Sequence, residues 1–327
     1  MKKISQLFEN KEIITEGKDI SAVKGYRDNH GKKQRVNILA MGDVGSTLAL
    51  AMKLTGGDIV EMIGICDVND NVVARFESEF NQITMPTGYD VFPEAVPVST
   101  EDVFDCDVFV FCASKGVPPV GDSSVDVRMI QLEKNIKMVE DYAAAAVKAG
   151  YDGEFFIVSD PVDPLCKGAL LGGIRSERIQ GFGLGVMNGR AAYYAKKDPE
   201  LAVYLSEGRA FGPHGEDLVI ADSIYNYNDR ASKKLTELTV NSNMKTRELG
   251  FKPYIAPAVS SGALSILENL RGRWHYSSAY FGAGTEGAFL GMKNRRSEYG
   301  LEIEDLPLDE KLYDRIAAAY NNLKETI

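Results

Sequence analysis

The strongest chemical pattern in the chain is the run Ala40-Met41-Gly42-Asp43-Val44-Gly45-Ser46, a Gly-x-Gly-x-x-Gly motif with alanine in place of the first glycine. In this motif the middle glycine lets the backbone approach a pyrophosphate, and the last glycine allows the following helix to pack closely. Gly42 and Gly45 keep these two positions. Ala40 can make the tight turn of the first glycine if its φ is negative. The pattern predicts that a dinucleotide phosphate binds at the N-terminus of a helix.

An acidic residue follows at the distance that such a site requires. Asp67 ends the second apolar run, about 20 residues after the glycines, where a carboxylate accepts hydrogen bonds from the adenosine ribose hydroxyls. The same carboxylate repels a 2′-phosphate, so NAD is favoured over NADP. The alternative is that Asp67 only ends a strand, but the combined spacing favours a cofactor site. Asp43 and Val44, with Ala113 and Ser114 after the third apolar run, are further candidate cofactor contacts.

A sheet must position these residues, and the chain contains four short apolar runs that can form one. They are residues 36–40, 62–66, 108–112 and 155–158. Continuous apolar strands are typical of a sheet that is covered on both faces. Helical segments are predicted at 46–52, which lacks breakers, and at 129–146, where apolar residues recur every three or four positions. The alternation predicts an α/β fold, a Rossmann-type doubly wound parallel sheet over residues 34–165 with its ligands at the carboxyl ends of the strands.

The remaining segments are less regular. Residues 1–33 are charged and end in a turn-rich run that is too polar to belong to a core, so we interpret them as an N-terminal arm. Residues 166–327 combine glycine-dense turns with a charged final helix. They predict a mixed α+β substrate domain after the Rossmann-type domain.

Composition limits the class of partners. The chain has 327 residues, enough for about two domains, and 37 basic against 47 acidic side chains give a net charge of −10. Such a surface repels nucleic acids and anionic membranes. No signal peptide and no run of about 20 apolar residues is present. The four cysteines have no metal-ligand spacing, so we expect reduced thiols, no metal site and a cytoplasmic location.

The chain resembles the lactate/malate dehydrogenase family from about Val36 to the final helix. Four segments carry the resemblance, in this order: Gly42-Asp43-Val44-Gly45-Ser46, Arg128-Met129-Ile130-Gln131-Leu132-Glu133-Lys134-Asn135, Ser159-Asp160-Pro161-Val162-Asp163 and Gly212-Pro213-His214-Gly215-Glu216-Asp217. The resemblance implies reversible hydride transfer between NAD(H) and a small 2-oxo or 2-hydroxy monocarboxylic acid, of the L-lactate dehydrogenase type. It also implies a homo-oligomer, either a dimer or a tetramer.

The resemblance assigns three chemical roles. His214, one of three histidines, matches the family's acid/base and lies in a turn rich in glycine and proline. Arg128 matches the arginine that closes over the substrate from a mobile loop, here residues 116–124, and polarises the carbonyl. Arg190 matches the arginine that holds the substrate carboxylate with its planar fork. Without the resemblance, each would be interpreted as a turn or surface residue.

Three positions depart from the family. Asp160 stands where the family has asparagine, so a candidate catalytic and substrate-contacting residue is an anion that would repel a 2-oxo acid. Met187 stands where the family has the aspartate that orients the histidine, and Asn188 or Asp160 are the candidates to replace it. Pro119 falls near the lid position that is arginine in malate enzymes, which argues against a malate dehydrogenase. Two alternatives remain open: an NAD-binding protein of the same fold with little or no turnover, and a malate dehydrogenase.

Overall fold

The computed structural model describes residues 1–7, 13–15, 20–23, 31–115 and 125–326, with the backbone alone described for 13–15, 21–23 and 125–131. The strands in chain order are β1 (Lys2–Lys3), β2 (Ile13–Thr15), β3 (Ile20–Val23), β4 (Gln34–Leu39), β5 (Val60–Cys66), β6 (Glu94–Pro97), β7 (Val108–Phe111), β8 (Glu154–Ile157), β9 (Ile179–Gly181), β10 (Arg209–Phe211), β11 (Val219–Ala221), β12 (His275–Ala283), β13 (Glu286–Ser297), β14 (Gly300–Glu304) and β15 (Pro307–Leu308). The helices are α1 (Asp43–Thr55), α2 (Asp70–Asn81), α3 (Val125–Lys148), α4 (Val162–Leu171), α5 (Leu184–Ala195), α6 (Tyr204–Glu207), α7 (Asp229–Val240), α8 (Ser242–Glu248), α9 (Ser265–Leu270) and α10 (Glu310–Thr326), with a π-helical segment at Pro257–Leu264 and 3₁₀ turns at Ile4–Gln6, Ser176–Arg178 and Pro199–Leu201.

Six parallel strands form one half of the main sheet, in the spatial order β6-β5-β4-β7-β8-β9. β4 pairs with β5 on one side and with β7 on the other, so the strand order reverses at β4. Ligands of such sheets bind at this reversal, outside the carboxyl ends of the strands. All four residues of β7 are apolar and buried, because neighbouring layers cover both faces of the sheet. The predicted Rossmann-type parallel sheet is confirmed.

The parallel sheet extends past the predicted boundary at residue 165. β9 pairs in parallel with β8, with Phe155 opposite Ile179, and it is the sixth strand of the parallel half. A strand of three residues is too short to give a clear apolar run, and this is why the pattern in the sequence ended one strand early.

Beyond β9 the sheet continues with antiparallel strands. Its order there is β12-β13-β14-β3-β2, which gives 11 strands in all within the described residues. β12 and β13 form a long hairpin whose buried face packs on α10, with Leu290 and Met292 against Leu312 and Ile316. The substrate-side region therefore combines helices with antiparallel strands, as the mixed α+β prediction requires.

The expectation that residues 1–33 lie outside a core is wrong for the parts that the structure describes. β3 pairs with β14, and β1 pairs with β15. Ile4 is fully buried among residues of β13, β14 and α10. β3 contains Ile20 and Val23, and Ile4 directly follows β1, but the high average polarity of the segment concealed them.

A buried ion pair joins the two halves of the sheet. Arg296 on β13 donates to both carboxylate oxygens of Glu154 on β8, at 2.5 and 2.7 Å, and also to Gln180 on β9. Both charged side chains are almost completely buried. Such a pair fixes the relative position of β8 and β13, because removing either partner leaves an uncompensated buried charge.

Two findings concern the cysteines and the possibility of a membrane-spanning helix. The four cysteines are free thiols, as expected, and the cytoplasmic location stays a prediction. In the part of the chain that the structure describes, no helix is both long and apolar enough to cross a membrane.

Candidate active site

The predicted phosphate-binding loop joins β4 to α1. A Cβ added at Gly42 would meet nothing within 4 Å, so the backbone there is open to a ligand. A Cβ at Gly45 would lie 2.0 Å from the carbonyl oxygen of Ala40, so a larger residue cannot stand where α1 packs on the strand. Asp43 begins the helix, and Lys252 pairs with it at 3.0 Å, which reduces the negative charge next to this loop.

Ala40 makes the turn without the negative φ that the sequence argument required of it. Its φ is +73°, the left-handed conformation that the glycine of the usual motif adopts freely and that an alanine adopts only under strain. Two hydrogen bonds hold the turn in this state. The backbone N–H of Ala40 donates to the Cys66 carbonyl at 2.8 Å, and the N–H of Met41 donates to Asp67 Oδ2 at 2.8 Å. The turn thus keeps its glycine-type geometry without the glycine.

Asp67 lies at the carboxyl end of β5, beside this loop. Its second oxygen accepts the backbone N–H of Asn69 at 3.0 Å. Each carboxylate oxygen has a further lone pair for a ribose hydroxyl. The side chain lines a cavity of about 430 Å³ together with Asp70 and Glu101, so the surroundings are acidic and disfavour a 2′-phosphate.

A larger cavity of about 650 Å³ lies at the carboxyl ends of the parallel strands. Val44, Ser114, Asp160 and His214 line it, so residues from the phosphate loop, from the end of β7 and from the substrate side meet there. An open glycine backbone, a helix N-terminus and a ribose-binding carboxylate at the edge of one sheet fit a dinucleotide. Gly42, Gly45 and Asp67 would hold its phosphates and adenosine ribose.

Asn135 organises the end of β7, although the sequence did not mark it as functional. Its Oδ1 accepts the backbone N–H of Lys115 at 2.9 Å, and its Nδ2 donates to Ser114 Oγ at 3.4 Å. Ser159 Oγ donates to the Ala113 carbonyl at 2.8 Å, so the ends of β7 and β8 are tied together. Ser114 lines the cavity, whereas the Ala113 carbonyl is bonded within the protein.

His214 and Asp160 come together in the large cavity. His214 lies in the loop between β10 and β11, and Asp160 follows β8. His214 Nδ1 is 2.9 Å from Asp160 Oδ1. Gly183 allows this approach of the loop, because a Cβ there would lie 2.9 Å from the Cβ of His214. Of the two candidates to replace the carboxylate at Met187, Asp160 is therefore the one that contacts the histidine.

The other candidate, Asn188, is not available for this role. Its Oδ1 accepts the hydroxyl of Tyr204 at 2.8 Å, and Met187 is buried against Arg190, whose Nη1 lies 3.3 Å from the Met187 sulfur. Desolvation in the cavity raises the pKa of Asp160. The charge and hydrogen bond of His214, with the charge of Arg190, lower it more, so the net pKa lies below the usual range. Asp160 is thus an anion at neutral pH.

Of the two predicted arginines, Arg190 and Arg128, the structure describes the side chain of Arg190 alone. Arg190 lies on α5 close enough for its charge to act on Asp160, but its guanidinium bonds Asn243 and it is not among the residues that line the cavity. Arg128 lies on α3 with its backbone alone described, and the lid at 116–124, including Pro119, lies outside the described residues. Arg247 on α8 does line the cavity, and no motif in the sequence pointed to it.

The chain and its fold are similar to those of several known proteins. Residues 34–181 match the family described as lactate/malate dehydrogenase, NAD binding domain. L-lactate dehydrogenase 1 of Peribacillus psychrosaccharolyticus is 25% identical over 319 residues, which cover 90% of this chain and 96% of that protein. The malate dehydrogenase of Picrophilus torridus has a TM-score of 0.71 at 20% identity, over 90% of this chain and 96% of that one. The malate dehydrogenase of Archaeoglobus fulgidus in complex with NADH has a TM-score of 0.71 at 16% identity, over 89% and 98%.

The fold, the phosphate loop and the cavity define the class of an NAD-dependent oxidoreductase that acts on CH–OH groups. Its cofactor is NAD. Within that class, residues 34–181 match the NAD-binding domain of the lactate/malate dehydrogenase family, and 90% of the chain is similar to an L-lactate dehydrogenase.

Proposed function

We propose that this protein interconverts a small 2-oxo monocarboxylic acid and its 2-hydroxy acid, the reaction type of an L-lactate dehydrogenase. One observation carries the proposal: His214 and Asp160 form an acid/base pair, 2.9 Å apart, in the cavity where the phosphate loop and the substrate-side loops meet.

The pair can hold the proton that the reaction moves. During reduction the carbonyl oxygen gains a proton, and during oxidation the hydroxyl loses one. The imidazole of His214 carries this proton, and the carboxylate of Asp160 stabilises the imidazolium form. Bound NAD(H) takes or supplies a hydride at C2 of the substrate.

The pair also removes the objection that Asp160 repels a 2-oxo acid. When His214 is protonated, as reduction requires, the imidazolium and the carboxylate have no net charge together. Arg190 adds a positive charge beside Asp160, and Arg247 adds one at the cavity wall. These cations offset part of the negative charge of the other carboxylates that line the cavity, Asp163, Glu216 and Asp217.

A screen of 2-oxo acids with NADH tests the proposal, together with calorimetric titration of NAD. We expect turnover with a monocarboxylic 2-oxo acid, none in His214→Asn, and nearly unchanged NAD affinity in that variant. Asp160→Asn should lower kcat about 10- to 100-fold, because a charge-assisted hydrogen bond contributes about 1.5–3 kcal/mol. Glu216→Gln is the matched control, since it removes a carboxylate from the same cavity without touching the pair.

Two results would contradict the proposal. NAD binding without turnover on any 2-oxo acid would favour the alternative, a binding protein of the same fold. Near-parental turnover in His214→Asn would remove His214 from the mechanism.

A second candidate substrate class is a dicarboxylic 2-oxo acid, and Arg247 favours it. The sequence showed no donor for a second carboxylate, but this guanidinium lies at the cavity. If it binds one, oxaloacetate should be reduced more efficiently than pyruvate, and Arg247→Gln should raise KM for oxaloacetate alone. Equal effects on both acids would exclude this role.

We also propose a homo-oligomer. The N-terminal arm is not the basis of this proposal, because its described parts pair with the chain's own sheet. Leu249, Phe251 and Ile255 are well exposed within seven residues of sequence, next to Met244 on α8. Apolar side chains that gather in this way are typical of a protein interface. Light scattering at micromolar concentration should give at least a dimer, and Phe251→Ser should weaken it. A monomer would contradict the proposal.

A further inference from the structure

A lysine of the substrate-side region contacts the first residue of the helix that follows the phosphate loop. Lys252 lies after α8, and its Nζ is 3.0 Å from Oδ2 of Asp43, although the two residues are 209 positions apart. Asp43 begins α1 directly after Gly42, whose backbone is open to a ligand. The ammonium group is therefore held next to the point where the diphosphate of NAD would bind.

The chain neighbours of both residues line the large cavity. Val44 directly follows Asp43, and Arg247 and Pro257 stand on either side of Lys252 in the sequence. The ion pair thus joins the phosphate loop to the substrate-side wall close to this cavity. It connects two regions that a bound dinucleotide must lie between.

Core packing fixes the segment after Lys252 on α1. The π-helical segment Pro257–Leu264 begins shortly after this lysine, and a Cβ added at Gly262 would lie 2.6 Å from Cδ1 of Leu48. Ala263 belongs to the same buried cluster as Leu48. The approach of Lys252 to the start of α1 is therefore set by the packing of two helical segments, and not by the ion pair alone.

Stability does not account for the pair. The side chain of Lys252 is 72% exposed and that of Asp43 is 48% exposed. Exposed ion pairs contribute little to folding, because water screens them and long side chains lose freedom. The same exposure leaves the ammonium group accessible to a ligand. It has three N–H donors, and after one has bound Asp43, two can bind phosphate oxygens.

A diphosphate needs more positive charge than the cavity wall supplies. Arg247 is the only lysine or arginine among the described residues that line the large cavity. The acidic residues in the same wall are Asp160, Asp163, Glu216 and Asp217. Asp43 adds a further carboxylate at the helix N-terminus, which is where the phosphates would bind. Two phosphates beside this carboxylate would repel it unless a cation lies with them.

We propose that Lys252 is a cofactor-binding residue that contacts the diphosphate of NAD from the substrate side, while the phosphate loop binds it from the other side. The ammonium group offsets the charge of Asp43 and donates its remaining N–H groups to phosphate oxygens. The inference concerns cofactor binding alone, so it does not depend on the proposed reaction.

Calorimetric titration of the full chain tests the proposal without any substrate. Lys252→Gln should weaken the binding of NAD about 5- to 10-fold, because a charged hydrogen bond that water partly screens is lost. ADP-ribose carries the same diphosphate and should lose affinity by the same factor. Adenosine has no phosphate and should bind both proteins equally.

Two further variants show whether the charge and its position matter. Lys252→Arg should keep most of the NAD affinity, because it keeps a positive charge and several N–H donors. Lys245→Gln is the matched control. It removes an exposed lysine of α8 whose Nζ lies 4.9 Å from the ring centre of Tyr194, and it should change none of these affinities.

A variant of Asp43 separates direct binding from neutralisation of the carboxylate. In the Asp43→Asn background there is no carboxylate to offset, yet Lys252→Gln should still weaken NAD binding several-fold. If the second substitution has no effect in this background, Lys252 only neutralises Asp43, and the proposal is overturned.

The choice of ligand gives two more results that would overturn it. Equal losses for adenosine and NAD would show that Lys252 acts on the adenosine site. A loss for NAD without a loss for ADP-ribose would place the lysine at the nicotinamide. Added salt should reduce the difference between Lys252→Gln and the unaltered chain, since ions screen an exposed phosphate contact, and a difference that salt leaves unchanged would contradict such a contact. Turnover plays no part in these measurements, so this proposal and the proposed reaction fail separately.

Discussion

Replacing Ala40 by glycine should stabilise the protein by about 1 kcal/mol. An alanine held at a left-handed φ costs roughly 1–3 kcal/mol, and Ala40 is held there at +73° by the hydrogen bonds to Cys66 and from Met41 to Asp67. Glycine removes this strain. Glycine also lowers the free energy of unfolding by about 0.4–1 kcal/mol, because the unfolded chain gains conformational entropy. The difference leaves a net gain of about 1 kcal/mol.

Chemical denaturation is the suitable assay for this change. Unfolding of 327 residues has an entropy of about 2.1 cal/mol/K per residue, so 1 kcal/mol shifts Tm by only about 1–2 °C. The urea midpoint is measured against Ala145→Gly, the same change at an exposed position inside α3. There the substitution should destabilise by about 0.5–1 kcal/mol, because the helical φ suits alanine. A loss of stability in Ala40→Gly equal to that of the control would refute the reasoning.

Three further predictions follow from the cofactor site, the buried ion pair and Asp163. Asp67→Ala should weaken NAD binding and relax discrimination against NADP in calorimetry, and equal affinity of the unaltered protein for both cofactors would contradict it. Glu154→Gln should lower the free energy of unfolding by about 3–5 kcal/mol, because it removes the negative charge that pairs with the buried Arg296. Loss of the exposed pair between Arg35 and Asp105 should cost under about 1 kcal/mol. Burial raises the pKa of Asp163 to about 6 in the folded chain. Between about pH 4 and 6 the native state therefore binds more protons than the unfolded chain. The free energy of unfolding should fall as the pH rises through this window. Asp163→Asn should flatten that slope in denaturation curves, and an unchanged slope would show that the carboxylate is not buried as described.

The parallel half of the fold is predictable from the sequence because its strands are buried on both faces. Four short and mainly apolar runs mark β4, β5, β7 and β8, and the acid after β5 marks the expected ribose site. The same signal fails for β9, which has three residues, and for the strands of the first 33 residues, which are two to four residues long and lie among charged side chains. In those places the pairing partner decides the structure, and the partner is distant in sequence.

The candidate site was predictable in its residue types but not in its contacts. A motif places His214 near the substrate, but it does not say which carboxylate reaches the ring, because Asp160 and His214 are 54 positions apart. No motif in the sequence pointed to Arg247, which lines the cavity because of the position of α8. Ala40 shows the same limit for the backbone. Its residue type argues for a negative φ, and the hydrogen bonds of the turn override that preference.

Met187 and Asp160 appear as two separate defects when each is compared with the family, but in the structure they compensate each other. An imidazole that gains a proton needs a negative charge nearby, and this requirement does not specify the element that supplies the charge. Here the carboxylate that contacts the histidine lies in the connection between β8 and α4, where Asp160 is 2.9 Å from His214. This position has a consequence for the substrate. The neutral amide of the family is replaced here by an anion at the cavity. Which substrates react should therefore depend on whether they can approach the pair of His214 and Asp160 while His214 is protonated and the pair has no net charge.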